Sequence, residues 1–254
     1  MEDKTEYKYV VLDIEGTVCP ISFVKDKLFP YFLEQLPSYL DKYKFPLNIV
    51  PQNDEILQIL AQFPKNVVVS KDTLLNHITN LVQRDIKDPV LKQLQGFIWE
   101  QGYTTGSIQA PLYEDAIEAM KLWSLLCDGV FIYSSGSVKA QKLLFANVET
   151  VNSSGSIGSA TMNDLINDYF DTVNVGPKND VRSYQKILEK IGLNPEDHEQ
   201  TKCCLFLSDN PVEVRAAINA GMTSFIVQRP GNHPLSEEDF KSFTVIKDFR
   251  TLFN

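Results

Sequence analysis

The sequence predicts an α/β protein in which a doubly wound parallel sheet carries a helical insertion after its first strand. Short apolar segments rich in β-branched and aromatic residues alternate with helical stretches, which is the pattern of strands covered on both faces. Residues 16–128 separate the first such segment from the second, far more chain than one crossover connection needs. We therefore expect a Rossmann-like core with a helical cap.

Four segments are predicted as strands because each is short and apolar and is followed by residues that favour turns. Helices are predicted at 138–148, 183–192 and 211–221, and the last of these ends on a glycine suited to a helix C-terminus. The predicted strands are KYVVLDIE (8–15), GVFIYSSG (129–136), CCLFLSDN (203–210) and SFIVQRPG (224–231).

The insertion is predicted over residues 25–110, where helical periodicity is strong and strand patterns are rare. We expect it to form a cap over the carboxyl edge of the sheet, while residues 1–24 and 111–254 form the core. Residues 152–164 are rich in Ser and Gly and are predicted as a loop.

The composition is that of an ordinary globular protein and narrows the classes of partner. Of the 254 residues 43% are hydrophobic, and 33 acidic against 24 basic residues give a net charge of −9. This balance disfavours nucleic-acid binding, because no cluster of Lys and Arg offsets it. The four cysteines lack a CxxC spacing and are expected to be reduced, and no segment has the ~20 apolar residues of a membrane span. We expect a cytoplasmic monomer that acts on a small molecule, with an additional nuclear location left open.

Polar residues follow the predicted strands at their carboxyl ends, where ligands bind in sheets of this kind. Asp13 and Glu15 end the first strand, and residues two apart on a strand lie on the same side. Asp13 is placed to attack a phosphorus atom and form an aspartyl-phosphate, and Glu15 to exchange protons with the leaving oxygen and with water. Attack by an anion on a phosphate needs charge compensation, which Mg²⁺ would supply. Alternatively, both acids are solvated residues of a turn.

Three further clusters allow a functional and a structural interpretation. Ser134 and Ser135 precede a helix, so they form either a phosphate site or part of an ordinary helix cap. Lys178 would reduce the repulsion between a phosphate and an aspartate, or is a surface lysine. Asp209 at a strand tip, with Glu213 one helical turn later, forms either a magnesium site that Glu213 ligates or orients, or a capped helix with an acid in its first turn.

The order of nucleophilic acid, hydroxyl, lysine and metal-binding acid, each at a strand end, resembles the haloacid-dehalogenase-like phosphatase superfamily. Most phosphatases of that superfamily have an aspartate two residues after the nucleophile, where this chain has Glu15. Together with this departure, several stretches resemble the enolase-phosphatase family of methionine salvage, over nearly the full chain. They are DIEGTVCPISFVKD (13–26), LKQLQGFIWEQGY (91–103), IYSSGSVKAQKLLF (132–145) and RPGN (229–232).

The resemblance implies an activity and a chemical centre. Members of that family enolise 2,3-diketo-5-methylthiopentyl-1-phosphate and then remove its phosphate to release an acireductone. Carried onto this chain, it implies that Asp13 is the nucleophile and a carboxylate ligand of one Mg²⁺ per subunit. It further implies that Glu15 is the acid/base residue and contacts the metal through its backbone carbonyl. Glu15 serving both proton transfers, in enolisation and in leaving-group protonation, is a hypothesis.

The same resemblance implies the binding roles. The substrate phosphate would be bound by Ser134, Ser135 and Lys178, and the metal by Asp209. Four aromatic residues near the hinge or in the insertion are expected either to be core residues or to contact the methylthio tail. They are Phe23, Phe97, Trp99 and Tyr103.

Two other functions stay open from the sequence. One is a generic Mg-dependent metabolite phosphatase of the same superfamily, against which Glu15 and the cap motifs argue. The other is a non-catalytic phosphate-binding module, which we would expect to lack one of the acids or the lysine. His77 and His233 have no partner at a spacing that suggests a metal site, so we expect them to be structural or exposed.

Overall fold

The computed structural model describes residues 7–47, 54–151 and 157–253. The chain forms two compact units, one made of Met1–Phe23 with Gln109–Asn254 and the other of Val24–Ile108. Within the described residues, every strand belongs to the first unit, and the second is built from helices.

The first unit contains a six-stranded sheet whose strands all run parallel. The order across the sheet is β5-β2-β1-β6-β7-β8, so the chain adds strands to one side of β1 and then to the other. The order in which strands are added switches from one side to the other between β1 and β6, and ligands bind at such a switch point in doubly wound sheets. In chain order the strands are β1 (Tyr9–Leu12), β2 (Gly129–Ser134), β3 (Val148–Val151), β4 (Ile157–Ala160), β5 (Asp168–Asp171), β6 (Cys204–Ser208), β7 (Thr223–Val227) and β8 (Val245–Ile246).

The predicted parallel sheet is confirmed, and its central strands are covered on both faces. On one face Val11 and Phe206 pack with Tyr184 and Ala217, which come from two of the helices. The alternating residues that point the other way, such as Val10, are equally buried. In the part of the chain that the structure describes, ten α-helices accompany the strands: α1 (Phe29–Leu40), α2 (Glu55–Leu60), α3 (Lys71–Gln83), α4 (Pro89–Thr104), α5 (Glu114–Leu126), α6 (Val138–Ala146), α7 (Val181–Lys190), α8 (His198–Thr201), α9 (Pro211–Asn219) and α10 (Glu237–Ser242).

The predicted loop at 152–164 is wrong in part. Ile157–Ala160 forms β4, which pairs antiparallel with β3 in a separate two-stranded sheet. Gly158 and Ser159 have low strand propensity, so the sequence pattern did not favour a strand there. Residues 152–156 lie outside the described residues. Strand β5 was not predicted either, because its four residues are too few to show a period.

The second unit has a core of its own. Phe32, Leu36 and Leu40 recur every fourth residue on α1, so they form one apolar face, and all three are fully buried. Side chains begin two of its helices in the usual way: Ser70 Oγ accepts a hydrogen bond from Thr73 N at 3.1 Å, and Asp88 Oδ1 accepts one from Leu91 N at 2.8 Å. No helix in the described ranges is long and apolar enough to cross a bilayer.

The aromatic residues considered above are mostly part of this packing. Tyr103 is buried, whereas Phe97 and Trp99 are half-buried against the core of the second unit. The Trp99 ring stacks on Phe29 with 6.4 Å between centroids, and its Nε1 donates a hydrogen bond to the Leu28 carbonyl at 2.9 Å.

Candidate active site

A cavity of about 350 Å³ in the first unit lies at the carboxyl ends of β1, β2 and β6. Its lining includes all the site residues proposed from the sequence, namely Asp13, Glu15, Ser134, Ser135, Lys178, Asp209 and Glu213. Four residues that the sequence reasoning did not select complete the lining: Ile21, Asn210, Pro211 and His233.

Asp13 is held at the junction of the two central strands. Its backbone N–H donates to the Leu207 carbonyl of β6 at 2.9 Å, which continues the ladder for one residue beyond β1. Lys178 Nζ lies 2.6 Å from Asp13 Oδ1, and Ser208 Oγ donates to Asp13 Oδ2 at 3.3 Å. Both carboxylate oxygens are therefore fixed in direction.

Glu15 reaches the cavity through a tight turn and not, as predicted, along a continuing strand. The Ile14 carbonyl accepts hydrogen bonds from the backbone N–H groups of Thr17, Val18 and Cys19 at 3.2, 3.0 and 2.9 Å. Gly16 adopts a φ of 72°, a conformation in which a side chain is strained. β1 consequently ends at Leu12, and the turn carries Glu15 to the same cavity as Asp13.

The segment between the end of β2 and the start of α6 is rich in serine hydroxyls. Ser134 Oγ accepts a hydrogen bond from Gly136 N at 3.2 Å, and Ser137 Oγ accepts one from Ala140 N at 3.3 Å at the start of α6. Gln141 Nε2 donates to the Gly136 carbonyl at 2.8 Å and so fixes the segment from the helix side. The helix cap that the sequence allowed is formed by Ser137, which leaves Ser134 and Ser135 at the cavity wall.

Lys178 lies in a loop in which three successive backbone carbonyls, at residues 176–178, accept hydrogen bonds from side-chain hydroxyl groups. Tyr133 Oη donates to the Gly176 carbonyl at 2.8 Å, Ser183 Oγ to the Pro177 carbonyl at 2.8 Å, and Tyr184 Oη to the Lys178 carbonyl at 2.7 Å. The Lys178 ammonium itself lies 2.6 Å from both Asp13 Oδ1 and Glu213 Oε2. Lys178 is thus a buried bridge between two acids, not a surface residue.

The acids at the end of β6 carry more negative charge than Lys178 balances. Burial, and then the charges of Asp13 and Glu213, raise the pKa of Asp209 to about 7. Burial, and then Asp13, raise the pKa of Glu213 to about 7, although Lys178 and Ser208 hold its charged form in part. Burial would lower the pKa of Lys178, but Asp13 and Glu213 outweigh it and the pKa rises. Of the described residues that line the cavity, four are carboxylates and one is an ammonium.

This set of groups fits a hard divalent cation. A Cβ on Gly16 would lie 2.4 Å from Asp209 Oδ2, so the Asp209 carboxylate rests directly against the turn that carries Glu15. Within the described residues, no group of three or more His, Cys, Asp or Glu side chains is arranged to hold a metal by itself. Mg²⁺ does not need such a cage, because it usually takes one or two carboxylates, with waters and substrate phosphates completing its shell.

Sequence reasoning missed the groups that orient the acids. Ser208 Oγ lies 2.8 Å from Glu213 Oε2 and 3.3 Å from Asp13 Oδ2, so its single proton is shared between the two acids. Its position before Asp209 in SDN is a signal that was available. His233 is exposed, as expected, but also lines the cavity. It directly follows the RPGN stretch, which brings that stretch close to the site.

The comparison with protein families identifies the fold family of the chain. The model of the haloacid dehalogenase-like hydrolase family matches residues 7–221. Among solved structures, the UTR4 protein of Saccharomyces cerevisiae is 43% identical with a TM-score of 0.79, over 96% of this chain and 99% of that one.

Curated relatives are similar over almost the whole chain. The enolase-phosphatase E1 of Debaryomyces hansenii is 52% identical over 243 residues, which cover 96% of this chain and 95% of the relative. The enolase-phosphatase E1 of Candida albicans is 49% identical over 235 residues, 91% of this chain and 87% of the relative.

Proposed function

The chain belongs to the haloacid dehalogenase-like hydrolase family and, within it, to the enolase-phosphatases, and we propose the reaction and residue roles that follow. The substrate is 2,3-diketo-5-methylthiopentyl-1-phosphate, and the products are the acireductone 1,2-dihydroxy-3-keto-5-methylthiopentene and phosphate. The observation that supports this most directly is the buried bridge of Lys178 between Asp13 and Glu213, beside two serine hydroxyls in one cavity.

Phosphate binding falls to Ser134, Ser135 and Lys178. Two hydroxyls and a buried ammonium whose raised pKa keeps it charged are donors suited to the oxygens of a phosphate monoester. Lys178 also lies beside Asp13, so it reduces the repulsion between the incoming phosphate and the attacking carboxylate.

Mg²⁺ would be held by the carboxylates of Asp13 and Asp209 and by the backbone carbonyl of Glu15. When bound, it supplies positive charge that stabilises the charge developing on phosphoryl and enolate oxygens. The raised pKa of Asp209 and the excess of carboxylates in the cavity support a cation at this position.

The chemical steps use Asp13 and Glu15. Glu15 removes the carbon-bound proton for enolisation, a proton from solvent converts the enolate oxygen to the enol hydroxyl, and Glu15 returns one proton to solvent at the end of the cycle. One Asp13 oxygen then bonds to phosphorus as the bond from phosphorus to the substrate oxygen breaks, and Glu15 gives a proton to the departing oxygen. Glu15 next takes a proton from water, the water oxygen bonds to phosphorus, and the bond to Asp13 breaks to release phosphate.

The double use of Glu15 rests on its reach, one methylene longer than an aspartate. A Glu15→Asp variant is therefore expected to lose rate in enolisation and in phosphate release together. Stopped-flow absorbance of the enediol and a coupled phosphate assay measure the two steps. Full rates in both would reject the double role.

One experiment separates this function from its rivals. The protein is incubated with the diketo phosphate and with simple phosphate esters, with and without Mg²⁺, while phosphate release and enediol absorbance are recorded. We expect Mg²⁺-dependent release with enediol formation from the diketo phosphate. Release without an enediol would indicate a generic phosphatase, and no release a phosphate-binding module.

The Asp13→Asn variant tests the proposed nucleophile in the same assay, and Asp128→Asn is its control. Asp128 is exposed and lies just before β2, at the opposite end of the sheet from the cavity. Asp13→Asn is expected to abolish turnover, whereas Asp128→Asn leaves it unchanged. The monomeric state and the cytoplasmic location stay predictions, which light scattering and imaging of the tagged protein can test.

A further inference from the structure

The RPGN stretch at 229–232, here called the 229–232 loop, follows β7 and has no part in the chemistry above. Arg229 is buried and forms an ion pair with Asp115, with 2.8 Å between Nη2 and Oδ2. Its guanidinium lies over the rings of Tyr113 and Phe249, at 4.4 and 4.7 Å from their centroids. A buried, stacked arginine gives the loop a rigid base.

The loop binds the turn that carries Glu15. Asn232 Nδ2 donates to the Gly16 carbonyl at 2.8 Å, and Arg229 Nε donates to the Thr17 carbonyl at 3.1 Å. The backbone N–H of Tyr113 donates to the next carbonyl, that of Val18, at 2.9 Å. Three successive carbonyls immediately after Glu15 are therefore held by groups from distant parts of the sequence.

Of the three residues that bind these carbonyls, Asn232 is the one that lies against Gly16 in the turn that carries Glu15. Its second Nδ2 hydrogen bond goes to the Val227 carbonyl at 3.2 Å, which ties it to the end of β7. Its Oδ1 is buried without a hydrogen-bond partner in the described residues and faces Gly16, where a Cβ would lie 3.0 Å away. A buried amide with an unpaired oxygen costs stability, so a purely structural role explains it poorly.

We propose that Asn232, supported by Arg229, is a positioning residue that fixes the Gly16–Thr17 peptide directly after Glu15 and thereby aims Glu15 for proton transfer. The inference rests on the proposed function, since it concerns the acid/base role of Glu15. Phosphate binding is left to other contacts, because Gly136 next to Ser134 and Ser135 is held by Gln141 of α6, and the Lys178 carbonyl is held by the Tyr184 hydroxyl. Loss of Asn232 should slow proton transfer without weakening phosphate binding.

Leaving-group dependence gives the test, because protonation matters for an alkyl leaving group and little for a nitrophenolate. For Asn232→Leu we expect kcat/KM to fall about 10–100-fold with an alkyl phosphate, as for a misplaced catalytic group. With para-nitrophenyl phosphate the loss should be much smaller, and the inhibition constant of inorganic phosphate should stay unchanged.

Two control variants separate positioning from general distortion. Asn147→Leu removes an amide that also donates to a backbone carbonyl, that of Leu143 at 2.9 Å, and should leave all three quantities unchanged. Gln141→Leu removes the hydrogen bonds to the Gly136 and Phe170 carbonyls and should weaken phosphate inhibition instead. If Asn232→Leu does not fold, Asn232→Ser provides the same readouts.

Equal losses with both esters, a weaker phosphate inhibition in parallel, or unchanged kinetics would each overturn the inference. Asp13→Asn is measured alongside. An inactive Asp13→Asn together with unchanged Asn232→Leu rejects the positioning role alone. An active Asp13→Asn rejects the proposed function and the role of Glu15 with it.

Discussion

Replacing Lys178 with methionine should destabilise the protein strongly at alkaline pH, and less so in acid. The side chains of Lys178, Asp13 and Glu213 are 10%, 8% and 13% exposed, and the ammonium lies 2.6 Å from an oxygen of each acid. Coulomb's law at that distance with an effective dielectric constant of about 20 gives about 6 kcal/mol for each pair, before desolvation is subtracted. Removing one partner of a buried ion pair costs about 3–5 kcal/mol.

The pH dependence follows from the acids that remain. Burial and the charge of Asp13 raise the pKa of Glu213 and of Asp209 to about 7 while Lys178 lowers both, so without Lys178 both pKa values rise further. Both acids are then protonated at about pH 5.5 and become charged, at a cost in stability, as the pH is raised to 8 and above. We therefore expect Lys178→Met to lose about 3–5 kcal/mol of unfolding free energy at pH 8 and about half of that at about pH 5.5. Urea denaturation at the two pH values measures both.

Lys202→Met is the control for this variant. Lys202 pairs with Glu199, but its side chain is 58% exposed and that of Glu199 81%, so solvent screens the pair and the loss should be much smaller than for Lys178→Met. A Lys178→Met, Glu213→Gln double variant should recover part of the loss, because one uncompensated charge is removed. Equal losses for Lys178→Met and Lys202→Met at pH 8 would refute the reasoning about buried charge.

Three further predictions concern the metal, the turn and the lysine loop. Because a proton must leave Asp209, whose pKa is raised to about 7, calorimetric Mg²⁺ affinity should rise up to about tenfold per pH unit below pH 7 and then level off; a flat profile from pH 5.5 to 8 would contradict the assignment. Gly16→Ala should cost about 1–3 kcal/mol of stability and weaken Mg²⁺ binding, because its Cβ would displace Asp209. Gly106→Ala is the control: Gly106 also has a φ of 72°, but the space around its Cβ is open, so this variant should lose stability and keep its Mg²⁺ affinity. Tyr184→Phe leaves the Lys178 carbonyl without its hydrogen-bond donor, so it should cost about 1–3 kcal/mol of stability and weaken phosphate inhibition. Unchanged phosphate inhibition would show that the hydroxyl does not position Lys178.

The sheet and the positions of the acids could be predicted because both follow from local pattern. An apolar run that ends in a polar residue marks the carboxyl end of a buried strand, and in a parallel sheet those ends lie at one edge. Asp13 and Asp209 each stand one residue beyond such a strand, β1 and β6, and these two strands are neighbours. Their convergence needed only the strand order.

The contacts that orient the site could not be predicted, because they join residues far apart in sequence. Tyr133 and Tyr184 read as core aromatics, and nothing local indicates that their hydroxyls hold the carbonyls of Gly176 and Lys178. The contact of Asn232 with Gly16 spans 216 residues. Strand β4 was missed for another reason, since its pairing with β3 overrides the low strand propensity of its glycine and serine.

The central claim is that Asp13 bonds to phosphorus, and trapping the phosphorylated enzyme tests it most directly. The protein is mixed with excess diketo phosphate and Mg²⁺, quenched in acid within milliseconds, digested, and analysed by mass spectrometry. We predict a phosphoryl group on the peptide that contains Asp13, absent from the Asp13→Asn protein. Turnover accompanied by a phosphoryl group on another residue, or undiminished turnover by Asp13→Asn, would contradict the account.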